Sequence, residues 1–135
     1  MKHKFDPTHW NRLEHFNMFA KMDNTYVGVV AEVECTKAYQ YAKAQNISFF
    51  AVYLYCSMQA ENRIPEFKFR LENDEIYSYD DLHCGRTIGR KDGTFGFALM
   101  HYTKDFETFY AELKQQIASG ENSVGLHIRN EDITV

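Results

Sequence analysis

Cysteine is scarce in this chain, and the three residues present lie far apart in sequence. Cys35, Cys56 and Cys84 are odd in number and have neither the spacing of a disulfide framework nor that of a zinc site. The neighbouring acids Asp80 and Asp81 fit no calcium-binding loop. We therefore expect a reducing, cytoplasmic location and no bound metal.

Long apolar runs and clusters of positive charge are also absent. The most apolar stretch, residues 49–58, is far too short to cross a bilayer, and the polar N-terminus does not read as a signal peptide. The 15 basic and 19 acidic residues give a net charge of −4 and form no basic stripe. Residues 85–93 lack the spacing of a phosphate-binding loop. We expect neither a membrane nor a nucleic acid as a partner.

The six histidines form no pattern typical of catalysis or metal binding. His9 and His15 are six positions apart, so they do not share a helical face as an i, i+4 pair does. His83 has no second pair of ligands nearby, and His101 lies on a predicted strand with no acid or nucleophile identifiable beside it. No residue of the chain is therefore assigned a catalytic role.

The chain contains enough apolar side chains to build a core. Of its 135 residues, 44% are hydrophobic and 16% are aromatic, which argues against disorder and fits one domain. No repeat or low-complexity linker divides it. The β-type ending at residues 133–135 has no terminal helix or charged tail. We therefore expect residues 1–135 to form a single, truncated domain.

Apolar residues at helical spacing predict four helices. The first is predicted to start at Asp6-Pro7, with the aspartate as its cap and the proline at its first position. The other three are predicted over residues 36–45, 49–63 and 104–119, with Thr36, Ser48 and Thr103 as caps. The third is apolar nearly all round and is expected at the centre. The last has a stripe that is expected to pack in the core, formed by Phe106, Phe109, Tyr110, Leu113 and Ile117.

Strands and turns fill the remaining segments. Residues 25–33 are rich in β-branched side chains and are predicted to form a strand. Two hairpins are predicted, one turning at Asn73-Asp74 and the other around Lys91-Asp92-Gly93. A further strand is predicted to start at residues 125–128. Helices alternate with strands and then hairpins dominate, which indicates an α/β fold with a mixed sheet.

Five sequence blocks occur in an order and at a spacing typical of one enzyme family. The first is the run Phe-Asp-Pro-Thr-His-Trp-Asn-Arg-Leu-Glu-His-Phe at residues 5–16. The others lie at residues 49–55, 62–70, 94–95 and 104–110. Together they resemble the chloramphenicol acetyltransferase family, of which this chain would be roughly the N-terminal three-fifths.

The resemblance implies a fold and a reaction. The fold is a two-layer sandwich with a mixed β-sheet covered by helices, as in CoA-dependent acyltransferases. The reaction moves an acetyl group from acetyl-CoA to a hydroxyl of a small acceptor such as chloramphenicol, in a cytoplasmic homotrimer linked to antibiotic resistance. The family's general base lies in a His-His-x-x-x-Asp-Gly motif, which this chain lacks. We therefore expect no acetyl transfer by these residues alone.

The resemblance also assigns roles to particular positions. Arg12 matches an arginine with a structural role, pairing with the aspartate of the missing motif, and Phe50 matches a cofactor-side tyrosine. The acceptor-side positions are Met18, Phe19, Thr25, Val27, Thr87, Phe95 and Phe97. Met18, Phe19, Thr25, Val27 and Phe97 differ from the antibiotic enzymes, so the acceptor is left open.

Three alternatives to this assignment remain. The aromatic and methionine side chains at these positions have the spacing of ordinary core residues. The chain would also fit a non-catalytic module that keeps the family scaffold and binds a small molecule or a subunit. A third interpretation is an unrelated α/β domain that shares the motifs by chance.

Overall fold

The computed structural model describes residues 1–126. Their helices and strands follow in the order β1 (Lys2–Lys4), α1 (Leu13–Phe19), α2 (Thr36–Ala44), α3 (Phe49–Asn62), a 3₁₀ turn (Pro65–Lys68), β2 (Phe69–Glu72), β3 (Glu75–Tyr79), β4 (Cys84–Gly89), β5 (Phe95–Met100) and α4 (Phe106–Asn122). The α/β class predicted from sequence is confirmed.

The strands form two small antiparallel sheets. In the first, β3 lies between β1 and β2; the second consists of β4 and β5. The pairings of β1 with β3, β2 with β3 and β4 with β5 are all antiparallel, whereas the sequence pattern predicted a mixed sheet. Both predicted hairpins are confirmed. Asn73 and Asp74 have positive φ angles of 50° and 63°, as a tight hairpin turn requires of both central residues.

The core lies where α3 and α4 pack against β4 and β5. Helix α3 is central, as its nearly uniform apolar surface predicted, and the predicted stripe of α4 packs into the same region. Phe109 and Leu113 are buried, and the other three stripe residues are partly buried and pack against the core cluster. The buried cluster consists of Ala51, Leu54, Met58, Cys84, Ala98, Met100, Phe109 and Leu113.

Two helices start later than predicted, because an aspartate near each start bonds a different backbone N–H from the one expected. The Asp6 carboxylate accepts from the Thr8 backbone N–H at 3.0 Å and so closes a local turn, and α1 begins only at Leu13. Asp105, rather than Thr103, caps α4, since its side chain accepts from the Thr108 N–H at 2.7 Å.

The other two helices begin close to the predicted positions without the predicted side-chain bonds. Helix α2 begins at Thr36 with Cys35 as the N-cap, and neither residue supplies a capping hydrogen bond from its side chain. Ser48 takes the N-cap position of α3 as predicted, yet its hydroxyl makes no capping bond. The extended backbone of Ser48, and the burial of the helix that follows, are therefore sufficient to set this boundary.

The strand predicted at residues 25–33 is wrong for the structure described. Residues 24–35 have no helix or strand, and all of them are exposed. Val30 is fully exposed, and Val27 is 90% exposed. A β-branched composition favours a strand only when a partner strand covers one face, and no partner occurs within residues 1–126. The predicted strand at residues 125–128 falls largely outside the described residues.

A close contact joins the end of α4 to the β4–β5 hairpin. A Cβ on Gly96 would lie 2.8 Å from both the Gly120 carbonyl oxygen and Ser123 Oγ. The Arg90 guanidinium spans the same junction, donating to Ser123 Oγ at 2.8 Å and to the Gly125 carbonyl at 2.6 Å. The absence of a side chain at Gly96 thus allows the helix end to dock on β5.

No helix within the described part of the chain is both long and apolar enough to cross a membrane.

Candidate functional site

An aromatic cluster positions α1, the helix that carries the first two candidate site residues. The Phe5 ring lies 4.7 Å from the Phe69 ring and 5.5 Å from the Trp10 ring, measured between centroids. Trp10 in turn lies 6.0 Å from Phe16 on α1. The cluster therefore connects β1, β2 and α1, and it fixes which face of α1 is left toward solvent.

Met18 and Phe19 lie at the end of α1 and are about half exposed. Met18 lines an open groove of about 700 Å³ together with Trp10, Leu13 and other side chains of the same segment. The two residues are 50% and 48% exposed. About half of each side chain therefore lies outside the core of the described residues, and a role of Met18 and Phe19 toward an acceptor stays a prediction.

Thr87, Phe95 and Phe97 come together on one face of the β4–β5 hairpin. Thr87 and Phe97 are directly opposed across the two strands. Phe95 and Phe97 are two positions apart on β5, and their rings meet edge to face with centroids 5.6 Å apart. Because alternate residues of a strand point to opposite faces, this face is opposite to the one that Ala98 presents to the core.

Thr25 and Val27 are not brought to this face. Both lie in the exposed segment between α1 and α2, and within residues 1–126 no hydrogen bond joins either of them to β4 or β5. Their place beside the hairpin rests on the resemblance alone and stays a prediction. The structure thus assembles the three hairpin positions and leaves these two apart.

Phe50, the predicted cofactor-side residue, lies near the start of α3. Its side chain is half-buried and packs against the core cluster, and its ring meets that of Tyr53 edge to face at 5.4 Å. These contacts support core packing for part of the ring. A role in contacting the cofactor stays a prediction.

Arg12 has a local partner in the structure. Its Nη1 lies 3.5 Å from Glu66 Oε1, and both side chains are about half exposed. An exposed ion pair of this kind contributes only about 0–1 kcal/mol to stability. The contact nonetheless joins the start of α1 to the 3₁₀ turn before β2, which gives Arg12 a structural contact different from the one that the resemblance implies.

Sequence reasoning missed a polar cluster at the end of β5. His101 Nδ1 lies 2.5 Å from Glu112 Oε1, and the Tyr102 N–H donates to His83 Nδ1 at 3.0 Å. The two imidazole rings meet edge to face, with centroids 5.0 Å apart. The acid was not identified because Glu112 belongs to α4 and reaches His101 only after the chain turns back over the sheet.

A second unpredicted group of polar side chains lies between α3 and β4. Glu61 Oε2 is buried and has no hydrogen-bond partner among residues 1–126. Burial raises the pKa of the Glu61 carboxyl, and the nearby Arg86 offsets part of that rise. Burial likewise raises the pKa of the Cys84 thiol. Cys84 therefore remains a protonated thiol at neutral pH and is not an activated nucleophile.

Metal binding has no support in the described part of the chain. Residues 1–126 contain no group of three or more His, Cys, Asp or Glu side chains arranged to hold a metal ion. All three cysteines are free thiols; Cys35 and Cys56 are exposed and Cys84 is buried. The candidate site is therefore an apolar face on a hairpin, with two further apolar residues at the end of α1.

Comparison with a solved structure identifies the class of protein to which this fold belongs. A solved structure of a chloramphenicol acetyltransferase superposes with a TM-score of 0.85 at 36% sequence identity. That alignment covers 93% of this chain and 59% of the solved one. Helices packed on antiparallel hairpins in this arrangement therefore have the α/β architecture of an acyltransferase.

The sequence comparisons agree with the structural one. A family model described as chloramphenicol acetyltransferase matches residues 2–134. The chain is 27% identical over 116 residues to a chloramphenicol acetyltransferase of Bacillus pumilus, and 24% identical over 119 residues to one of Escherichia coli. It belongs to the chloramphenicol acetyltransferase family.

The matches also define how much of the family this chain represents. The alignments cover 85% and 87% of this chain, but only 53% and 54% of those two relatives. The chain therefore spans about half the length of the curated relatives that it matches.

Proposed function

We propose that this chain supplies the acceptor side of a CoA-dependent O-acetyltransferase. The reaction would move an acetyl group from acetyl-CoA to a hydroxyl of a small acceptor such as chloramphenicol. The observation that carries the proposal is the match of residues 2–134 to the chloramphenicol acetyltransferase family. The pairing of Thr87 with Phe97 across the two strands, and the ring contact between Phe97 and Phe95, support a largely apolar acceptor surface.

The chemistry that this proposal requires is a general base and an oxyanion donor. A base within hydrogen-bond reach takes the acceptor's proton as its oxygen attacks the thioester. A hydroxyl or N–H donor then stabilises the tetrahedral oxyanion, and one such donor contributes about 3–4 kcal/mol to transition-state stabilisation. Residues 1–135 contain no His-His-x-x-x-Asp-Gly motif. The base would thus come from outside these residues, either from later in the same polypeptide or from another one.

The acceptor-side role would use residues from two places. Phe95, Phe97 and Thr87 would form the wall that the hairpin provides, and Met18 with Phe19 would face it from the end of α1. Thr25 and Val27 would join them once residues 24–35 lie against the hairpin. A homotrimer, a cytoplasmic location and a link to antibiotic resistance belong to the same proposal.

The test begins with the gene. Reading it past codon 135 should show a serine-bearing strand and a His-His-x-x-x-Asp-Gly motif in frame. The complete polypeptide should then release CoA thiol when given acetyl-CoA and a panel of hydroxyl acceptors that includes chloramphenicol. No thiol release across the panel would contradict the proposal.

Phe97→Ala in that complete polypeptide should raise KM for the acceptor about tenfold and leave KM for acetyl-CoA unchanged, since it shortens an apolar wall. Phe67→Ala is the matched control, because Phe67 is likewise an exposed phenylalanine, 49% exposed against 37% for Phe97, but lies on the 3₁₀ turn. Equal effects of the two substitutions would contradict the role given to Phe97.

The apolar hairpin face supports a second candidate function. A protein that keeps the apolar hairpin face but has no catalytic base would bind a small molecule without catalysing its acetylation. Binding of chloramphenicol to the 135-residue protein, detected by saturation-transfer NMR and lost in Phe97→Ala, together with a stop codon after Val135, would favour this function over acetyl transfer.

A further inference from the structure

Strand β1 is attached to the rest of the fold mainly through its backbone and its charges. It pairs with β3 in the register Lys2 with Tyr79 and Lys4 with Tyr77. None of its three side chains is buried. Just after the strand, the Phe5 N–H donates to the Ile76 carbonyl at 2.8 Å. With no buried side chain, the strand is attached by its backbone ladder to β3, by the contacts of Phe5 that follows it, and by its polar side chains.

Both lysines of β1 contact carboxylates of the neighbouring strands, and His3 contacts a carboxylate just beyond β3. Lys2 Nζ lies 2.6 Å from Glu72 Oε2, and Lys4 Nζ lies 2.5 Å from Glu75 Oε1. His3 Nε2 lies 2.9 Å from Asp80 Oδ1. Because successive side chains of a strand point to opposite faces, the contacts of Lys2 and Lys4 lie on one face of β1 and that of His3 lies on the other.

The glutamates are also bound by tyrosines of β3. The Tyr77 hydroxyl donates to Glu75 at 2.9 Å, and the Tyr79 hydroxyl donates to Glu72. Because the same carboxylates are held from two sides, their positions opposite the lysines are fixed. Each lysine–glutamate pair is therefore part of a network of three side chains rather than an isolated surface contact.

The end of β1 carries the aromatic contact that leads to α1. Phe5 directly follows Lys4, and its ring contacts Phe69 of β2 and Trp10. Trp10 contacts Phe16 on α1. Any displacement of β1 would thus move Phe5 away from the cluster and remove one of the contacts that hold α1.

We propose that β1 is an ionic strap, defined as Lys2–Lys4 with its partners Glu72, Glu75 and Asp80, that holds Phe5 against Trp10 and thereby positions α1. The strap releases as a unit under acid, and is weakened at high salt, before the core of α3, α4, β4 and β5 unfolds. This inference concerns the fold itself and holds whether or not the chain takes part in acetyl transfer.

The direction of the acid effect follows from the groups that face β1. The hydrogen bond from Lys2 lowers the pKa of Glu72, and that from Lys4 lowers the pKa of Glu75. The Met1 amino group, followed by His3, lowers the pKa of Asp80. A carboxylate with a lowered pKa stabilises the fold above its ordinary pKa, and this contribution is lost as pH falls through the lowered value.

The lysines respond at the opposite end of the pH scale. The hydrogen bonds from Glu72 and Glu75 raise the pKa values of Lys2 and Lys4. Their contribution is fully present below the ordinary lysine pKa and is lost as pH rises through the raised values. The glutamates also raise the pKa values of Tyr77 and Tyr79, which keeps these hydroxyls protonated as donors. The strap is therefore most stable at pH values above the ordinary carboxylate pKa and below the ordinary lysine pKa.

The test uses Trp10 as a reporter, since it is the chain's one tryptophan. In the 135-residue protein, Trp10 emission should shift to the red on acid titration at a higher pH than the loss of the far-UV helix signal. Raising the salt from about 0.01 M to about 1 M at neutral pH shortens the screening length from about 30 Å to about 3 Å and should cause a partial shift of the same sign. Coincident acid transitions for the two signals would overturn the proposal, because the strap would then not release before the core.

Charge variants test the strap directly. The double variant Lys2→Glu/Lys4→Glu should shift Trp10 emission at neutral pH and speed amide exchange at Phe5 about tenfold, since like charges then oppose each other. Adding Glu72→Lys and Glu75→Lys restores opposite charges and should restore both readings.

The matched control is Lys37→Glu/Lys91→Glu, which makes the same change in net charge at exposed sites away from β1. The control should leave Trp10 emission and Phe5 exchange unchanged. An equal response of the control, or a charge-swapped variant that fails to recover while its helix signal is native, would overturn the proposal.

Discussion

Replacing Gly96 by alanine probes the contact between β5 and the end of α4. The new Cβ would lie 2.8 Å from the Gly120 carbonyl oxygen, 2.8 Å from Ser123 Oγ and 3.1 Å from the Arg90 guanidinium. Atoms of real side chains do not approach a Cβ closer than 3.0 Å without a shift of one of them. Because the carbonyl belongs to the helix backbone and Arg90 holds Ser123, the helix end must move away from the sheet.

Two opposing contributions set the size of the effect. Overpacking a close contact costs about 1–3 kcal/mol in the free energy of unfolding. Alanine also lowers the entropy of the unfolded chain, which stabilises a protein by about 0.4–1 kcal/mol where the folded state accepts the side chain. The steric term is the larger one at Gly96, so we expect a net loss of about 1–2 kcal/mol.

Urea unfolding followed by circular dichroism measures this difference, with Gly89→Ala as the matched control. Gly89 lies at the end of β4 in the same hairpin, and a Cβ there would meet nothing within 4 Å. The control should therefore be neutral or more stable than the parent by up to about 1 kcal/mol. A Gly96→Ala protein as stable as the Gly89→Ala protein would refute the close contact.

Three further predictions concern the interior. Glu61→Gln should raise stability at neutral pH by about 0.5–1 kcal/mol, a figure reduced for the part of the side chain that water still reaches. The pKa of Glu61 is raised in the folded protein, so the parent protein loses stability as pH rises from the ordinary glutamate pKa through the raised one. Urea midpoints measured over a pH series should show this loss in the parent and not in Glu61→Gln. Asn62→Ala removes a buried amide that makes three hydrogen bonds to the backbone, and we expect a loss of about 2–3 kcal/mol in thermal or urea unfolding. A thiol reagent should label Cys35 and Cys56 quickly in the native protein and Cys84 only on unfolding; early labelling of Cys84 would contradict its burial.

The parts of the fold that were predicted correctly depend on local signals. Asn73-Asp74 and Gly93 adopt the positive φ angles that their turns need, so both hairpins could be placed from the sequence. Helix α3 was placed correctly because an apolar surface on all sides leaves only a central position. These signals lie within a few residues of the structure that they specify.

The wrong and missed predictions concern segments whose secondary structure depends on pairing with a strand far away in the sequence. Residues 25–33 have the composition of a strand, but composition does not specify which strand lies beside them. Strand β1 was missed for the opposite reason, since Lys2, His3 and Lys4 have no strand composition and are held by partners some seventy residues later. Strand pairing between distant segments therefore could not be predicted from this one sequence.

The candidate site shows the same division. Thr87, Phe95 and Phe97 were chosen from the resemblance, and the hairpin brings them together, although their role toward an acceptor stays a prediction. The pairing of His101 with Glu112 could not be predicted, because it depends on how α4 crosses the sheet. No spacing in the sequence signals a contact of that kind.

The exposed segment between α1 and α2 has a consequence for handling the protein at high concentration. Residues 25–31 carry no charge and no proline, and they are rich in valine. An uncharged run of this composition with unpaired backbone groups is a template for intermolecular β-sheet. Glu32 and Glu34 close the run and oppose stacking by charge repulsion. Self-association should therefore increase with protein concentration while the core stays intact, and replacing Val30 by lysine should suppress it.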